Sequence, residues 1–233
     1  MAGGGVTSIL PRWTKDLRFG RTFVFNTFLF AYVAVYALGE AAKASPHAGS
    51  LRNAIVGLTV VGLASLSLVL VGLVRQRPQH VVRGTLPVKM WERFFALAID
   101  LHAIFVISLP LLLLPDLLID WGQTGQFHLV PSPDAIANPS LWPPAFMLVA
   151  MCLYVVFLPR SGRSTLGQYV MGYRIVPLDD FGAKPQYFHR VILAYFLMCC
   201  IFAWGYLFRQ EEGVYWWERK THTIAMRTTY TEV

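Results

Sequence analysis

Two ionisable side chains lie on one strongly apolar stretch, and their types and spacing are those of a site that handles charge inside a membrane. Arg93 and Asp100 occur in the segment 91–121, WERFFALAIDLHAIFVISLPLLLLPDLLIDW. On a helix they would lie about 20° from the same face and roughly 10 Å apart along the axis. A direct salt bridge is therefore excluded. If Arg93 reaches the lipid headgroups, Asp100 lies well inside the hydrocarbon.

Inserting Asp100 into the membrane costs free energy, which the apolar residues of its own helix can offset. A carboxylate at mid-helix costs about 2.5 to 3.5 kcal/mol on an insertion scale, and the many Leu, Ile, Val and Phe residues around it contribute more in the opposite direction. The acid must then be protonated or bound by partners. Its role is open between a buried polar clasp and proton or ion handling. Candidate partners are Asn26, Tyr154, Tyr195 and Arg190.

His102 follows two residues later and points to another side of the helix, about 200° round. We expect it to form an ordinary hydrogen bond to a neighbouring helix.

Composition narrows the class of protein. The chain has 233 residues, 55% of them hydrophobic and 14% charged, with a mean hydropathy of +0.49, which exceeds what a soluble domain of this length buries. Its net charge of +7 comes from basic residues that flank apolar runs, so a lipid bilayer is the expected partner and nucleic acid is not. Cys152, Cys199 and Cys200 lie in apolar segments without metal-ligand spacing. We predict no metal, no cofactor and no enzymatic activity, because nucleophile and phosphate-loop motifs are absent from the sequence.

The apolar runs predict four or five membrane segments. Each of the first two meets the roughly 20-residue requirement for crossing hydrocarbon. A cleaved signal peptide competes for residues 1–44, although this run is longer than a signal segment needs. In the second run, Gly57 with Ala64 and Ser65 with Gly72 repeat at helical spacing and predict close approach of another helix. The predicted spans are 22–42, 54–74, 94–115, 143–158 and 191–208.

Basic residues predict the orientation. Residues 94–159 contain neither Lys nor Arg, whereas the flanks 1–21, 75–89 and 160–190 contain several. The positive-inside rule therefore places the N-terminus in the cytosol and the protein in the cell (cytoplasmic, or inner) membrane. We expect 75–89 to be an irregular basic loop at a domain boundary. From Pro115 to Trp142 we expect an extracytoplasmic loop without regular structure.

The C-terminal tail conflicts with five full spans. They would place it outside, yet four basic residues follow position 208 and favour the cytosol. A fifth run that enters and returns as a re-entrant hairpin, with Gly205 near its break, resolves the conflict. The strand-like segments 173–178 and 224–229 could then pair in the cytosol. The expected fold is an all-α membrane protein, a multi-pass helical bundle of four or five transmembrane segments with a small cytosolic β element.

Residues 91–233 resemble the RDD family of membrane proteins, which is named for one arginine and two aspartates. Arg93 and Asp100, in RFFALAID, match the arginine and the first aspartate. The segment TLGQYVMGYRIV resembles the family's glycine-punctuated loop. The residues that carry this part of the resemblance are Thr165, Gly167, Gly172, Arg174, Gly182, Pro185 and Arg190.

The segment WERKTHT is similar to the histidine–aspartate element at the end of that domain. Here Glu218 stands where the family has its second aspartate, Trp217 precedes it, and His222 replaces the usual glycine. If Glu218 is cytosolic, it could pair with Arg93 at the same interface. Residues 1–90, with two predicted spans, form an N-terminal extension outside the resemblance.

The resemblance implies a multi-pass membrane protein associated with transport, in some members with cation/proton exchange. We therefore expect ion or small-solute transport, with Asp100 as the intramembrane ionisable group. The alternative is a non-catalytic accessory or assembly subunit, which would pack through its first two helices against other membrane protein subunits. A homo-oligomer is compatible with either function.

Overall fold

The computed structural model describes residues 18–44, 50–82, 88–128, 142–178, 184–199, 205, 208–211 and 214–230. Its helices are α1 (Arg21–Ala44), α2 (Leu51–Ser67), α3 (Met90–Thr124), α4 (Trp142–Arg160), α5 (Leu166–Met171), α6 (Tyr187–Cys199) and α7 (Trp216–Lys220). Its strands are β1 (Gln79–Val81), β2 (Tyr173–Pro177), β3 (Gln210–Glu211), β4 (Val214–Tyr215) and β5 (Thr223–Tyr230). The protein is therefore mainly helical with a small antiparallel sheet, as the sequence predicted.

Three helices in the described part of the chain are long and apolar enough to cross a membrane. They are α1, α2 with the π-helical segment Leu68–Val74 that continues it, and α3. The first two coincide with the predicted spans. Helix α4 is apolar but shorter, and prolines at positions 143 and 144 lie in its first turn, where their missing N–H groups cost little.

Helix α3 continues past the predicted boundary. A loop was expected from Pro115 onward, but the helix runs to Thr124 and ends where Gly125 adopts φ 70°. The prediction of irregular structure was therefore wrong for 116–124. Pro110 and Pro115 are both inside this helix. An apolar environment favours helix because backbone groups have no water to bond with.

Two other segments contain regular structure that was not predicted. Strand β1 lies within 75–89, which was expected to be an irregular loop, and it pairs with β5. Helix α5 lies in the glycine-punctuated segment, where no helix was expected. Both elements are short, so hydrophobic periodicity could not reveal them.

The sheet has the strand order β1-β5-β2 and is antiparallel throughout. Pairing of β2 with β5 confirms the predicted contact between 173–178 and 224–229. In its register Ile175 lies opposite Ala225, and both side chains are buried. Because alternate residues face opposite sides of a strand, Arg174 is directed to the other face of the sheet.

The segments that precede and follow the fifth apolar run lie next to each other. Arg190, in the first turn of α6, donates to Thr223 Oγ1 at 2.8 Å, and Gln186 N donates to Thr221 O at 2.9 Å. Residues before 191 and after 215 are thus in direct contact, which is the geometry that a re-entrant run requires. The predicted break at Gly205 lies among residues that are mostly outside the described part.

Helices α1, α2, α3 and α5 share one packed core. In lipid, helices associate through close van der Waals packing, so small residues at the contact matter more than apolar area. Gly72 packs against Leu166, and a β-carbon built at Gly72 would lie 2.5 Å from Leu166 Cδ1. Ser65 Oγ donates to Ile107 O at 3.0 Å. The predicted small-residue contacts are therefore present, and they tie the N-terminal extension to the rest of the protein. The core residues are Val24, Phe28, Ala31, Ala64, Leu68, Ala103, Val106, Leu166 and Tyr169.

Candidate functional site

Helix α5 has only six residues and depends on its caps. Thr165 is the N-cap, and its hydroxyl accepts a hydrogen bond from Gln168 N, while Gln168 Oε1 accepts one from Thr165 N. At the other end Gly172 adopts φ 74°, a left-handed conformation that glycine adopts without strain. A helix this short is not stable alone. Its neighbours must therefore hold it in place.

Asp100 is the main neighbour of the α5 N-terminus. Its Oδ2 accepts from Thr165 Oγ1 at 2.6 Å, and its Oδ1 accepts from Gly167 N at 2.7 Å and from Tyr154 OH at 2.9 Å. The Tyr154 hydroxyl in turn accepts from Leu166 N at 2.7 Å. The residue is 3% exposed. One carboxylate therefore joins α3, α4 and α5 and satisfies the Gly167 N–H, while the Tyr154 hydroxyl satisfies that of Leu166.

Gly167 makes this contact possible. A β-carbon at this position would lie 2.0 Å from the backbone oxygen of Ala96 and 2.7 Å from its carbonyl carbon. The backbones of α5 and α3 thus touch directly, and only glycine fits between them. This contact brings Gly167 N within reach of Asp100, one turn further along α3.

A second set of buried charges, the arginine–glutamate cluster, consists of Arg93, Arg190 and Glu218. Glu218 Oε2 accepts from Arg93 Nη2, and its Oε1 accepts from Arg190 Nη2, both at 3.1 Å. Ala225 N donates to the same Oε1 at 2.8 Å. Arg93 Nη1 lies 2.9 Å from Oε1 as an ion pair, without hydrogen-bond alignment. The pairing of Arg93 with Glu218 that the resemblance led us to expect is confirmed.

Aromatic rings surround the two guanidinium groups. The Arg93 guanidinium carbon lies 4.5 Å from the centroid of the Tyr215 ring, and that of Arg190 lies 4.5 Å from the Trp217 ring. Trp217 occupies the place of the histidine in the resemblance, and here its ring stabilises a cation. Burial by itself would raise the pKa of the Glu218 carboxyl, but Arg93 and Arg190 lower it below its ordinary value. The cluster therefore contains two cations and one anion, a net charge of +1.

Asp100 and the two arginines of the arginine–glutamate cluster, Arg93 and Arg190, line one cavity of about 90 Å³. Arg93 Nη1 and Trp217 Nε1 are buried there and have no hydrogen-bond acceptor among the described residues. The charge of Arg93 Nη1 is balanced by its ion pair with Glu218, whereas the Trp217 N–H has no such partner among the described residues. No cluster of three or more His, Cys, Asp or Glu side chains that could hold a metal occurs in the described ranges.

Of the four candidate partners of Asp100, the structure confirms one, Tyr154. Tyr154 does donate to it. Asn26 is exposed on α1, and Arg190 binds Glu218 and Thr223, so both of these assignments were wrong. The Tyr195 side chain and Gly182 lie outside the described residues. His102 bonds to Ala98 O of its own helix at 2.7 Å and packs edge-on against the Tyr32 ring of α1, so the predicted interhelical hydrogen bond does not occur among the described residues.

Sequence reasoning missed two groups that bind Asp100, the Thr165 hydroxyl and the Gly167 N–H. The signal for them was the pattern Thr165-x-x-Gln168, which is a capping box and marks the start of a helix. A helix N-terminus beside a buried acid is an expected pair. Arg174, another motif residue, belongs to neither charge cluster and lines a different cavity.

Comparison with known proteins gives one match. The RDD family model matches residues 87–215, more than half of the chain, which includes Arg93, Asp100 and the segment from Thr165 to Arg190. The matched region ends before Glu218. Neither a curated protein nor a solved structure matches this chain.

Proposed function

The chain belongs to the RDD family of membrane proteins, and from this premise we propose that it carries an ion or a small solute across the membrane. The observation that supports the proposal most directly is the cavity of about 90 Å³ where Asp100 meets the arginine–glutamate cluster. Three buried charged side chains line this cavity: Arg93, Asp100 and Arg190. Ionisable groups in such a setting are expensive to maintain and commonly mark a path for ions or protons.

Asp100 is the group that we propose takes up and releases a proton or cation. Two of its three hydrogen bonds come from hydroxyls, those of Thr165 and Tyr154, which can rotate to accept a proton as well as donate one. A protonated Asp100 can therefore keep partners, with the direction of one bond reversed. Because Thr165 is also the N-cap of α5, a change of charge at Asp100 acts directly on the start of that helix.

The orientation is part of the proposal, with the sheet and the N-terminus in the cytosol of a cell in whose cytoplasmic membrane the protein lies. Helices α1, α3 and α6 begin, and α2 and α4 end, at the sheet end of the bundle. An arginine lies at or beside each of these termini, which the positive-inside rule favours for the cytosolic side. These arginines are Arg21, Arg75, Arg93, Arg160 and Arg190.

Cysteine labelling tests this orientation. We expect Lys43→Cys, at the end of α1, to react with a membrane-impermeant maleimide in intact cells, because it lies at the opposite end from the sheet. Lys220→Cys, in α7, should react only after permeabilisation. Both changes are made in a chain whose three native cysteines are replaced by alanine. Labelling of Lys220→Cys in intact cells would reverse the orientation.

Flux measurements test the role of Asp100. Purified protein in liposomes, given a Na⁺ or K⁺ gradient, is expected to change the internal pH reported by a trapped dye. Asp100→Asn should reduce the rate to that of protein-free liposomes, because the amide cannot exchange a proton. Asp116→Asn makes the same chemical change at an exposed site of the same helix and should keep the wild-type rate. Equal flux in the two variants would exclude Asp100 as the transport group.

An accessory subunit is the second candidate function. It is favoured by α1, which is little covered within this chain and exposes several aromatic side chains: Phe23, Phe25, Phe30 and Tyr36. Such a face could pack against a larger membrane assembly. In this case the wild-type protein would give no flux in liposomes, and a mild-detergent extract would carry it in a larger band on a native gel.

A further inference from the structure

A cavity of about 270 Å³ at the sheet end of the bundle is lined by four arginines, and no acidic residue of the described ranges lines it. The arginines are Arg18, Arg77, Arg163 and Arg174. This cavity shares no lining residue with the one beside Asp100. The positive charge of this cavity is therefore independent of the charges beside Asp100.

The arginines come from four separate parts of the chain. Arg18 precedes α1, Arg77 lies between α2 and β1, Arg163 lies between α4 and α5, and Arg174 is on β2. Like charges brought together in this way repel one another. Arg18, Arg163 and Arg174 have no acidic partner among the described residues, so the cavity is suited to a ligand that supplies the negative charge.

Hydrogen bonds between these segments fix the walls of the cavity. Ser164 Oγ donates to Gln79 Oε1 at 3.2 Å, which links the α4–α5 connection to β1. Gln76 Nε2 donates to Ser164 O at 3.4 Å. Arg77 N donates to the Tyr169 hydroxyl at 3.0 Å. The arrangement of the arginines is thus built into the fold, because backbone and buried groups position the segments that carry them.

Two buried donors at this cavity have no acceptor. Arg174 Nε and Gln79 Nε2 are inaccessible to solvent, and neither has a hydrogen-bond partner in the part of the chain that the structure describes. Both residues line the cavity. The Gln79 amide oxygen already accepts from Ser164, so its NH₂ group is the part that requires a further partner. Neither atom faces the cavity, so an oxyanion bound there would contact the exposed guanidinium groups of Arg18 and Arg163.

We propose that this cavity binds a phosphate group. Guanidinium groups form paired, charge-assisted hydrogen bonds with phosphate oxygens, and several of them around one cavity favour a group with more than one such oxygen. The group can come from the headgroup of an anionic phospholipid or from a soluble phosphate compound. Residues 18 and 76–79 lie outside the region that matches the family, so the N-terminal extension supplies half of the site. The proposal does not depend on transport through the Asp100 cavity.

Binding to two probes tests the site and distinguishes the two sources. The full-length protein, delipidated in detergent, is titrated by native mass spectrometry with phosphatidylglycerol and, in parallel, with phosphatidylcholine. A thermal-shift titration compares inorganic phosphate with sodium chloride at equal ionic strength. Arg163→Gln and Arg174→Gln are each expected to weaken binding by about tenfold, the loss of one charge-assisted contact. Lys220→Gln removes the same charge from an exposed site at the same end of the bundle and should change affinity by less than about twofold.

Each outcome has a defined meaning. Tight phosphatidylglycerol binding that Arg163→Gln weakens identifies a lipid headgroup, and stabilisation by inorganic phosphate that Arg163→Gln removes identifies a soluble phosphate compound. Arg163 is exposed, so its replacement leaves the fold intact even if Arg174→Gln does not. The proposal is overturned if neither probe binds, or if Arg163→Gln and Lys220→Gln bind as the wild type does.

Discussion

Replacing Glu218 with glutamine is expected to lower the free energy of unfolding by about 3–5 kcal/mol, because two buried guanidinium groups lose their counter-charge. Glu218 is 1% exposed and binds both Arg93 and Arg190. A glutamine oxygen could still accept from one of them, but its NH₂ group would face the other. Thermal unfolding in detergent measures the effect as a lower midpoint.

Glu40→Gln is the matched control for that substitution. Glu40 pairs with Lys43 at 2.8 Å, but both side chains are more than half exposed. Solvent screens an exposed pair of this kind, so the midpoint should hardly move. Similar effects of Glu218→Gln and Glu40→Gln would contradict the description of the cluster as a buried charge centre.

Acid titration provides an independent measurement on the same residue. The pKa of Glu218 is lower in the folded protein than its ordinary value of 4.5, because Arg93 and Arg190 outweigh the effect of burial. The stability that it contributes is therefore fully present above about pH 4.5 and is lost as the pH falls through the lower, folded value. Glu218→Gln should remove this part of the acid dependence and leave that of the other carboxyls unchanged.

Glu218→Asp tests whether the length of the acidic side chain matters in addition to its charge. Aspartate is the residue that the resemblance places at this position, and it would keep the negative charge while shortening the side chain by one methylene. The carboxylate could then no longer reach Arg93, Arg190 and Ala225 N together, so we expect a loss of stability smaller than that for glutamine.

The contacts at Glu218 and Asp100 illustrate which parts of the site the sequence could predict. The pairing of Arg93 with Glu218 followed from the motif resemblance, on the condition that the C-terminal tail lies on the same side as Arg93. The pairing of β2 with β5 followed from two short strand-like segments. The partners of Asp100 did not follow, because they lie at the start of α5, which is too short to give a periodic signal. Arg190 was only one of four candidate partners of Asp100, because spacing in the sequence could not choose among them.

The end of α3 was predicted too early because the loop was inferred from the charge and composition of 115–142 as a whole, a segment that includes Asp116 and Asp120. The helix continues because leucine and isoleucine on both sides of Pro115 remain in an apolar setting. Strand β1 was missed for another reason, since its pairing with β5 is a contact between distant parts of the chain that three residues cannot specify.

Because α5 and α3 are in direct backbone contact, adding one methyl group at Gly167 should strongly destabilise the protein. Gly167→Ala would place a β-carbon 2.0 Å from Ala96 O, and neither backbone can yield without separating the two helices. Overpacking of this kind costs about 1–3 kcal/mol. Separation also weakens the hydrogen bond from Gly167 N to Asp100, which contributes about 1.5–3 kcal/mol as a bond to a charged group. We therefore expect the free energy of unfolding to fall by about 3–5 kcal/mol.

Gly62→Ala is the control that isolates the close approach from the chemistry of the substitution. Gly62 lies inside α2, and a β-carbon there would meet no other atom within 4 Å. Alanine should stabilise the helix at this site by up to about 1 kcal/mol, so the two identical substitutions are expected to have opposite signs. Thermal unfolding of both variants in the same detergent decides the question. If Gly167→Ala unfolds at the wild-type midpoint, α5 is not held against α3 as described, and Asp100 must be satisfied by other groups.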